Sequence, residues 1–128
     1  MAFRFRIAVE ADVWVLSVGG EIDVEAAPQL LDAGRLGLDD TATKCLMLDL
    51  AEVHFIDSTG LGAFVQLRND AHSKNKDVQL RNVPHRVARL LELTGLDSVF
   101  PVNGARPDGP DSDDPDDGGE GSGAEQNR

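Results

Sequence analysis

The sequence predicts an α/β fold in which helices pack on a mixed β-sheet. Three observations support this class: two alternating strands at the start, an apolar strand-like run at 45–50, and helical periodicity between the later strands. Together they give the element order β-β-α-β-α-β-α-β. Because a tight turn joins antiparallel strands and a helix joins parallel ones, the sheet is expected to be mixed, with its parallel part covered by helices.

The chain is expected to open with a β-hairpin. Residues 3–10 and 12–18 are both predicted as strands: the first begins with the alternating Phe3-Arg4-Phe5-Arg6-Ile7, and the second is rich in β-branched and aromatic residues. Ala11-Asp12 between them is expected to form the turn. Gly19-Gly20 follows the second run and is expected to stop the strand.

A first helix is predicted from about residue 24, with Asp23 as its cap. Glycine is a common helix stop, so the helix is expected to end near Gly34 or Gly37. Its buried face uses apolar residues at helical spacing: Ala26, Ala27, Leu30 and Leu31.

The run at 45–50 reads as a buried strand, and a helix is predicted over about 59–74 after a short loop. Gly60 and Gly62 lie in the first turn, where they lower helix propensity but leave the backbone open to close approach by another molecule. The buried face of this helix is expected to contain Leu61, Phe64, Val65, Leu67 and Ala71.

The last elements are a short strand at 77–82, a helix opened by Pro84, and a final strand at 99–102. Gly95 is expected to close the helix in the left-handed conformation. The leucines and valine of this helix are assigned to the core and the helix end: Val87, Leu90, Leu91 and Leu93.

Residues 1–102 are expected to form one domain, and residues 103–128 a disordered acidic tail. The tail has no large apolar residue and is rich in Asp, Gly and Pro. It holds eight acidic residues and two arginines, which leaves −5 of the formal −11 charge on the domain. With this charge and no basic stripe, direct binding to nucleic acid is not expected.

The chain is expected to be cytoplasmic and without a membrane segment. Arg4 and Arg6 interrupt the apolar residues at the start, so no export signal is expected there, and no apolar run reaches spanning length. The one cysteine, Cys45, lies in a strand pattern and is interpreted as an inert core thiol.

Ser58 is predicted to lie where the buried strand passes into the next helix. Such a corner exposes backbone N–H groups and the positive end of the helix dipole, both of which favour an anion. A phosphate on Ser58 would be tolerated there within the protein, but it would repel acidic neighbours such as Asp57 at an interface. The alternative is that Ser58 only caps its helix and Asp57 only ends a loop.

An enzyme is not expected, and neither a cofactor nor a metal is implied. Ser58 lies outside a G-x-S-x-G elbow, and the chain has no phosphate-binding G-x-x-x-x-G-K-[ST] loop. His54, His72 and His85 show neither a triad order nor metal-ligand spacing, and solvated surface positions are expected for them.

The chain resembles the bacterial anti-sigma-factor antagonists, which are single STAS domains. Four motifs occur in the right order over about residues 3–102: Gly20-Glu21-Ile22-Asp23, Leu46-Met47-Leu48-Asp49-Leu50, Phe55-Ile56-Asp57-Ser58-Thr59-Gly60-Leu61-Gly62, and Leu93-Thr94-Gly95-Leu96 with Val99-Phe100-Pro101. The resemblance implies a STAS-like fold and phosphorylation of Ser58 by an anti-sigma factor with a histidine-kinase-like ATPase domain. A phosphatase is expected to reverse the modification.

The resemblance also implies a partner-binding surface around Ser58. That surface is expected to comprise Asp23, Asp57, Ser58, Thr59, Gly60, Leu61 and Gly62. Two other roles remain open for the same fold: a non-enzymatic STAS scaffold, or a small cytoplasmic subunit of a lipid-transport ATPase. Family members usually end with a further helix, which is either missing here or replaced by the tail, and weak self-association is an open consequence.

Overall fold

The computed structural model describes residues 3–100 and 102–105. It contains a five-stranded mixed sheet with strand order β1-β2-β3-β4-β5 and three α-helices, which confirms the predicted fold class and element order. The elements are β1 (Arg4–Glu10), β2 (Val13–Ile22), α1 (Ala26–Asp39), β3 (Cys45–Ile56), α2 (Ser58–Ser73), β4 (Asp77–Val83), α3 (His85–Thr94), a 3₁₀ turn (Leu96–Ser98) and β5 (Val102–Ala105).

β1 and β2 form the predicted antiparallel hairpin, and every later strand runs parallel to its neighbour. The turn contains Ala11, whose φ of 58° is left-handed. Helices α1 and α2 pack against each other and on β2, β3 and β4. The parallel strands therefore all end at one edge of the sheet, where the helices begin.

The core lies between the sheet and the helices. The faces predicted for α2 and α3 are largely confirmed, and Phe64 meets Phe100 edge-on at a ring-centroid distance of 6.2 Å. Leu93 is an exception because it lies about 200° around α3 from the buried Leu91, which leaves its side chain 77% exposed. Of the leucines assigned to the core and the helix end, Leu93 therefore belongs to the helix end and not to the core.

The glycines of α1 do not end the helix, which continues to Asp39. A Cβ on Gly34 would lie 2.7 Å from Leu67, and one on Gly37 would lie 2.5 Å from the Trp14 ring. Both glycines therefore allow close packing of α1 against its neighbours. The predicted helix end was wrong because this packing outweighs their low helix propensity.

Gly19-Gly20 does not end β2 either, and β3 continues through Ile56 instead of stopping at residue 50. The register between β2 and β3 shifts between Ser17 and Gly19 and again between Gly20 and Glu21. Gly20 takes a φ of 86°, which suits an irregular position in a strand. After these shifts the last residues of the two strands, Ile22 and Ile56, lie opposite each other.

The final strand begins later than expected. Leu96–Ser98 form a 3₁₀ turn after Gly95, which caps α3 at a φ of 77° as predicted, and β5 occupies Val102–Ala105. Phe100 therefore anchors the chain in the core before the strand starts. β5 includes the first residues assigned to the tail. The remainder of the predicted tail, and with it the question of a final helix, lies outside the described residues.

Cys45, expected to be an inert core thiol, is half-buried at the start of β3. Burial, with smaller contributions from the negative charges of Asp77 and Asp12, raises the pKa of its thiol. A raised pKa lowers the thiolate fraction and hence the reactivity of the group.

None of the helices within the described ranges combines the length and the apolar character needed to cross a bilayer.

Candidate functional site

The candidate site is built on the paired ends of β2 and β3. Ile22 and Ile56 are register partners, so the residues that follow them, Asp23 and Asp57, lie beside each other at the carboxyl edge of the sheet. The Asp57 N–H donates to the carbonyl of Ile22 at 3.3 Å, which joins the two chain segments. Because adjacent strands are about 4.8 Å apart, both helix starts belong to one small surface.

Each aspartate bonds to the start of the helix that follows it. Asp57 Oδ1 accepts the Gly60 N–H at 3.0 Å and is the N-cap of α2. Asp23 Oδ1 accepts the N–H groups of Glu25 and Ala26, each at 3.1 Å. The two carboxylates therefore accept some of the backbone N–H groups left free at the starts of the two helices, and they give the surface negative charge.

Ser58 is the first residue of α2, and its side chain is exposed. Since Asp57 is the cap, the alternative in which Ser58 only caps the helix and Asp57 only ends a loop does not hold. Within residues 3–100 and 102–105, neither the Ser58 hydroxyl nor the N–H groups of Ser58 and Thr59 have a hydrogen-bond partner. The hydroxyl is free to react, and the two N–H groups beside it are free to donate hydrogen bonds to an anion.

The two glycines of this turn differ in their surroundings. A Cβ on Gly60 would lie 2.6 Å from the carbonyl oxygen of Ile22 and 2.7 Å from Ile56, whereas one on Gly62 would meet nothing within 4 Å. Gly60 thus allows close approach by this chain's own β2, and only Gly62 is open to another molecule.

The predicted contact surface is smaller than the sequence suggested. Gly60 is buried, and Leu61 is 6% exposed and belongs to the core. Ser58 and Thr59 are exposed, and Asp23, Asp57 and Gly62 are partly exposed. The accessible surface, called the Ser58 corner below, comprises Asp23, Asp57, Ser58, Thr59 and Gly62.

Comparison with known proteins gives the family. The STAS domain model matches residues 4–107. The chain is 34% identical over 103 residues to the anti-sigma-B factor antagonist of Staphylococcus epidermidis, covering 80% of this chain and 94% of the relative. The chain belongs to the STAS family of anti-sigma factor antagonists.

Solved structures agree with this assignment. An anti-sigma factor antagonist from Mycobacterium paratuberculosis is 31% identical to this STAS protein, with a TM-score of 0.67 and coverage of 79% of this chain and 85% of the other. The Bacillus cell fate determinant SpoIIAA in its phosphorylated form is 19% identical, with a TM-score of 0.61 and coverage of 80% and 91%. The SpoIIAA likeness concerns the fold.

Two apolar side chains beside the corner of this STAS protein were not singled out from its sequence. Val24, next to Asp23, is 66% exposed, and Phe55, three residues before Ser58, is 47% exposed. Alternation about the buried Ile56 could have identified Phe55 as outward-facing. Large exposed apolar groups next to charged ones are typical of protein-binding surfaces.

The start of α3 also reaches this region. Arg86 Nη1 donates to the carbonyl oxygen of His54 at 2.8 Å and so connects α3 to the end of β3. His54, His72 and His85 are exposed on three different elements of this STAS protein. Over the described ranges, no cluster of three or more His, Cys, Asp or Glu side chains is placed to hold a metal ion.

Replacing the α2 cap should lower stability by a modest amount. We expect Asp57→Ala to reduce the free energy of unfolding by about 0.5–2 kcal/mol, because the Gly60 N–H loses its acceptor. Asp57→Asn keeps a side-chain oxygen and is the matched control. Urea unfolding followed by circular dichroism measures both, and equal stability of the alanine and asparagine variants would argue against a capping role.

Proposed function

We propose that this STAS protein is a phosphorylation-controlled partner switch. In its unphosphorylated form it binds an anti-sigma factor with a histidine-kinase-like ATPase domain, and the sigma factor held by that protein is released. Phosphorylation of Ser58 by the same partner blocks binding, and a phosphatase restores it. The chain itself acts by binding and performs no catalysis.

The observation that carries the proposal is the free Ser58 hydroxyl at the start of α2. It is exposed and makes no hydrogen bond within the described part of the chain, while Asp57 performs the capping. A kinase can therefore reach the hydroxyl without unfolding the helix. ATP and Mg²⁺ would be held by the partner.

The local structure supports a phosphate on Ser58 without a change of fold. The unbonded N–H groups of Ser58 and Thr59 and the helix dipole favour the anion by about 0.3–1 kcal/mol at an exposed site. That SpoIIAA, which shares the fold, has been solved in a phosphorylated form supports this point.

The same phosphate would disfavour the binding of a partner that covers the Ser58 corner. The phosphate adds about −1.5 to −2 charges beside the carboxylates of Asp57 and Asp23. Contact through the exposed apolar side chains of Val24 and Phe55 would exclude water from the same surface. Loss of water strengthens repulsion between like charges and raises the cost of desolvating the phosphate.

Phosphate transfer tests the site. The chain is incubated with its cognate kinase-like anti-sigma factor, Mg²⁺ and labelled ATP. We expect one phosphate per chain in the wild type and in Thr59→Ala, which alters the neighbouring exposed hydroxyl, and none in Ser58→Ala. Equal labelling of Ser58→Ala and the wild type would refute the assignment. Recovery of a transporter ATPase instead of an anti-sigma factor in affinity isolation would favour the subunit role.

A further inference from the structure

The outer edge of β1 has no partner strand among the described residues. β1 lies at one end of the sheet and pairs only with β2, so its other edge presents backbone N–H and C=O groups to solvent. Edge strands are normally protected by proline, charged side chains (especially lysine), a bulge or a covering segment. β1 contains no proline, glycine or lysine, and its register with β2 is continuous from Arg4 opposite Gly19 to Glu10 opposite Val13.

One face of this edge strand is apolar and exposed. The side chains of Phe5, Ile7 and Val9 are 44%, 38% and 60% exposed. They lie opposite core residues and Trp14 of β2, so they occupy the side of the sheet that carries the helices. Because α1 packs on β2 and β3, these β1 side chains remain uncovered.

The other face of β1 carries positive charges at the start of the strand and a negative charge at its end. Arg4 and Arg6 lie in its first half, and Glu10 is its last residue. An antiparallel strand that fits this edge must be acidic at the end that faces Arg4 and apolar on the helix side. β1 itself meets both requirements when its direction is reversed.

We propose that β1 pairs with β1 of a second copy of the chain, antiparallel and about a two-fold axis at Ile7. In this register Ile7 faces Ile7 of the second copy, Phe5 faces Val9, and Arg4 faces Glu10. The exposed apolar strip then continues across the interface, and opposite charges meet at both ends. The two sheets become one continuous sheet.

The existing contacts of Arg4 are compatible with this pairing. Its Nη2 donates to Glu52 Oε1 at 2.9 Å, and the side chain remains 55% exposed. A guanidinium has five N–H donors, so it can bind a second carboxylate while keeping the first. Arg6 and Glu10 have no ion-pair partner in residues 3–100 and 102–105.

Disulfide trapping tests the register in the full-length chain. In a Cys45→Ser background, Ile7→Cys brings two cysteines directly opposite each other, with Cβ atoms about 4.5–5.5 Å apart. A small adjustment brings them to the separation of about 3.5–4.5 Å that a disulfide needs. Phe5→Cys is the matched control. In this register position 5 faces Val9 of the second copy, so the two introduced cysteines lie four residues apart, roughly 13 Å along the strand. We expect mild oxidation to give a reducible dimer with Ile7→Cys and none with Phe5→Cys.

Sedimentation velocity tests the association itself. We expect the wild type to form a dimer that increases with concentration, and Ile7→Lys to remain a monomer with an unchanged circular dichroism spectrum. A wild type that stays monomeric up to about 1 mM, where only very weak association escapes detection, would overturn the proposal. Trapping of Phe5→Cys as fast as Ile7→Cys would overturn it as well. Neither result depends on Ser58.

Discussion

The Ser58-phosphorylated chain is expected to bind its anti-sigma factor several-hundred-fold more weakly than the unphosphorylated chain. The phosphate would lie beside Asp57, which is held in place by its bond to the Gly60 N–H, and near Asp23, which is held by two N–H groups. Neither carboxylate can turn away without giving up its cap. Repulsion and desolvation at a covered surface are expected to cost about 3–4 kcal/mol, and each 1.4 kcal/mol is a factor of ten in Kd.

Isothermal titration calorimetry of the anti-sigma factor with four forms of the chain measures this effect. The forms are the wild type, the phosphorylated wild type, Ser58→Glu and Ser58→Ala. Ser58→Glu should weaken binding less than the phosphate does, because it adds only one charge, and Ser58→Ala should bind nearly as the wild type does. A phosphorylated chain with a Kd within threefold of the wild type would disprove the switch.

Gly60→Ala is expected to destabilise the fold by about 1–3 kcal/mol, because the new methyl group meets the Ile22 carbonyl and the Ile56 side chain. The backbone oxygen belongs to β2 and cannot move without opening the β2–β3 ends. Gly62→Ala, two residues later in the same turn, meets nothing and should gain up to about 1 kcal/mol from helix propensity. The two substitutions are chemically identical, so their difference isolates the packing of Gly60.

Urea unfolding of both glycine variants measures the effect as a shift of the midpoint urea concentration. The dependence of the unfolding free energy on urea concentration should stay the same. The binding assay adds a second readout: Gly60→Ala should also weaken anti-sigma factor binding, because it displaces the cap that positions Ser58. If both variants gained stability, the proposed contact between Gly60 and β2 would be incorrect.

Much of the fold could be predicted from local pattern. The hairpin, the strand at 45–50 and the faces of α2 and α3 follow from apolar periodicity, which reports directly on burial. The Gly95 cap was predicted because its conformation depends on neighbouring residues in the chain. The position of Ser58 at the start of α2 was predicted in the same way, since a strand-to-helix corner is a local feature.

Glycine was the main source of error. Gly34 and Gly37 were interpreted as a helix stop, and Gly19-Gly20 as a strand stop, but all four lie inside regular elements. A glycine that ends an element and one that admits a neighbour's side chain look the same in a sequence. Only the position of Leu67 and Trp14 against α1 distinguishes them.

By itself, the sequence determined the order of the elements, the acidic character of the chain and the position of a serine at the start of α2, because each depends on composition or on residues a few positions apart. The tertiary structure alone decided that Gly60 packs against β2, that Gly34 and Gly37 admit side chains from neighbouring elements, and that β1 keeps an open apolar edge. These three results depend on strand register and on which elements pack together, and both are set by contacts between residues far apart in the chain.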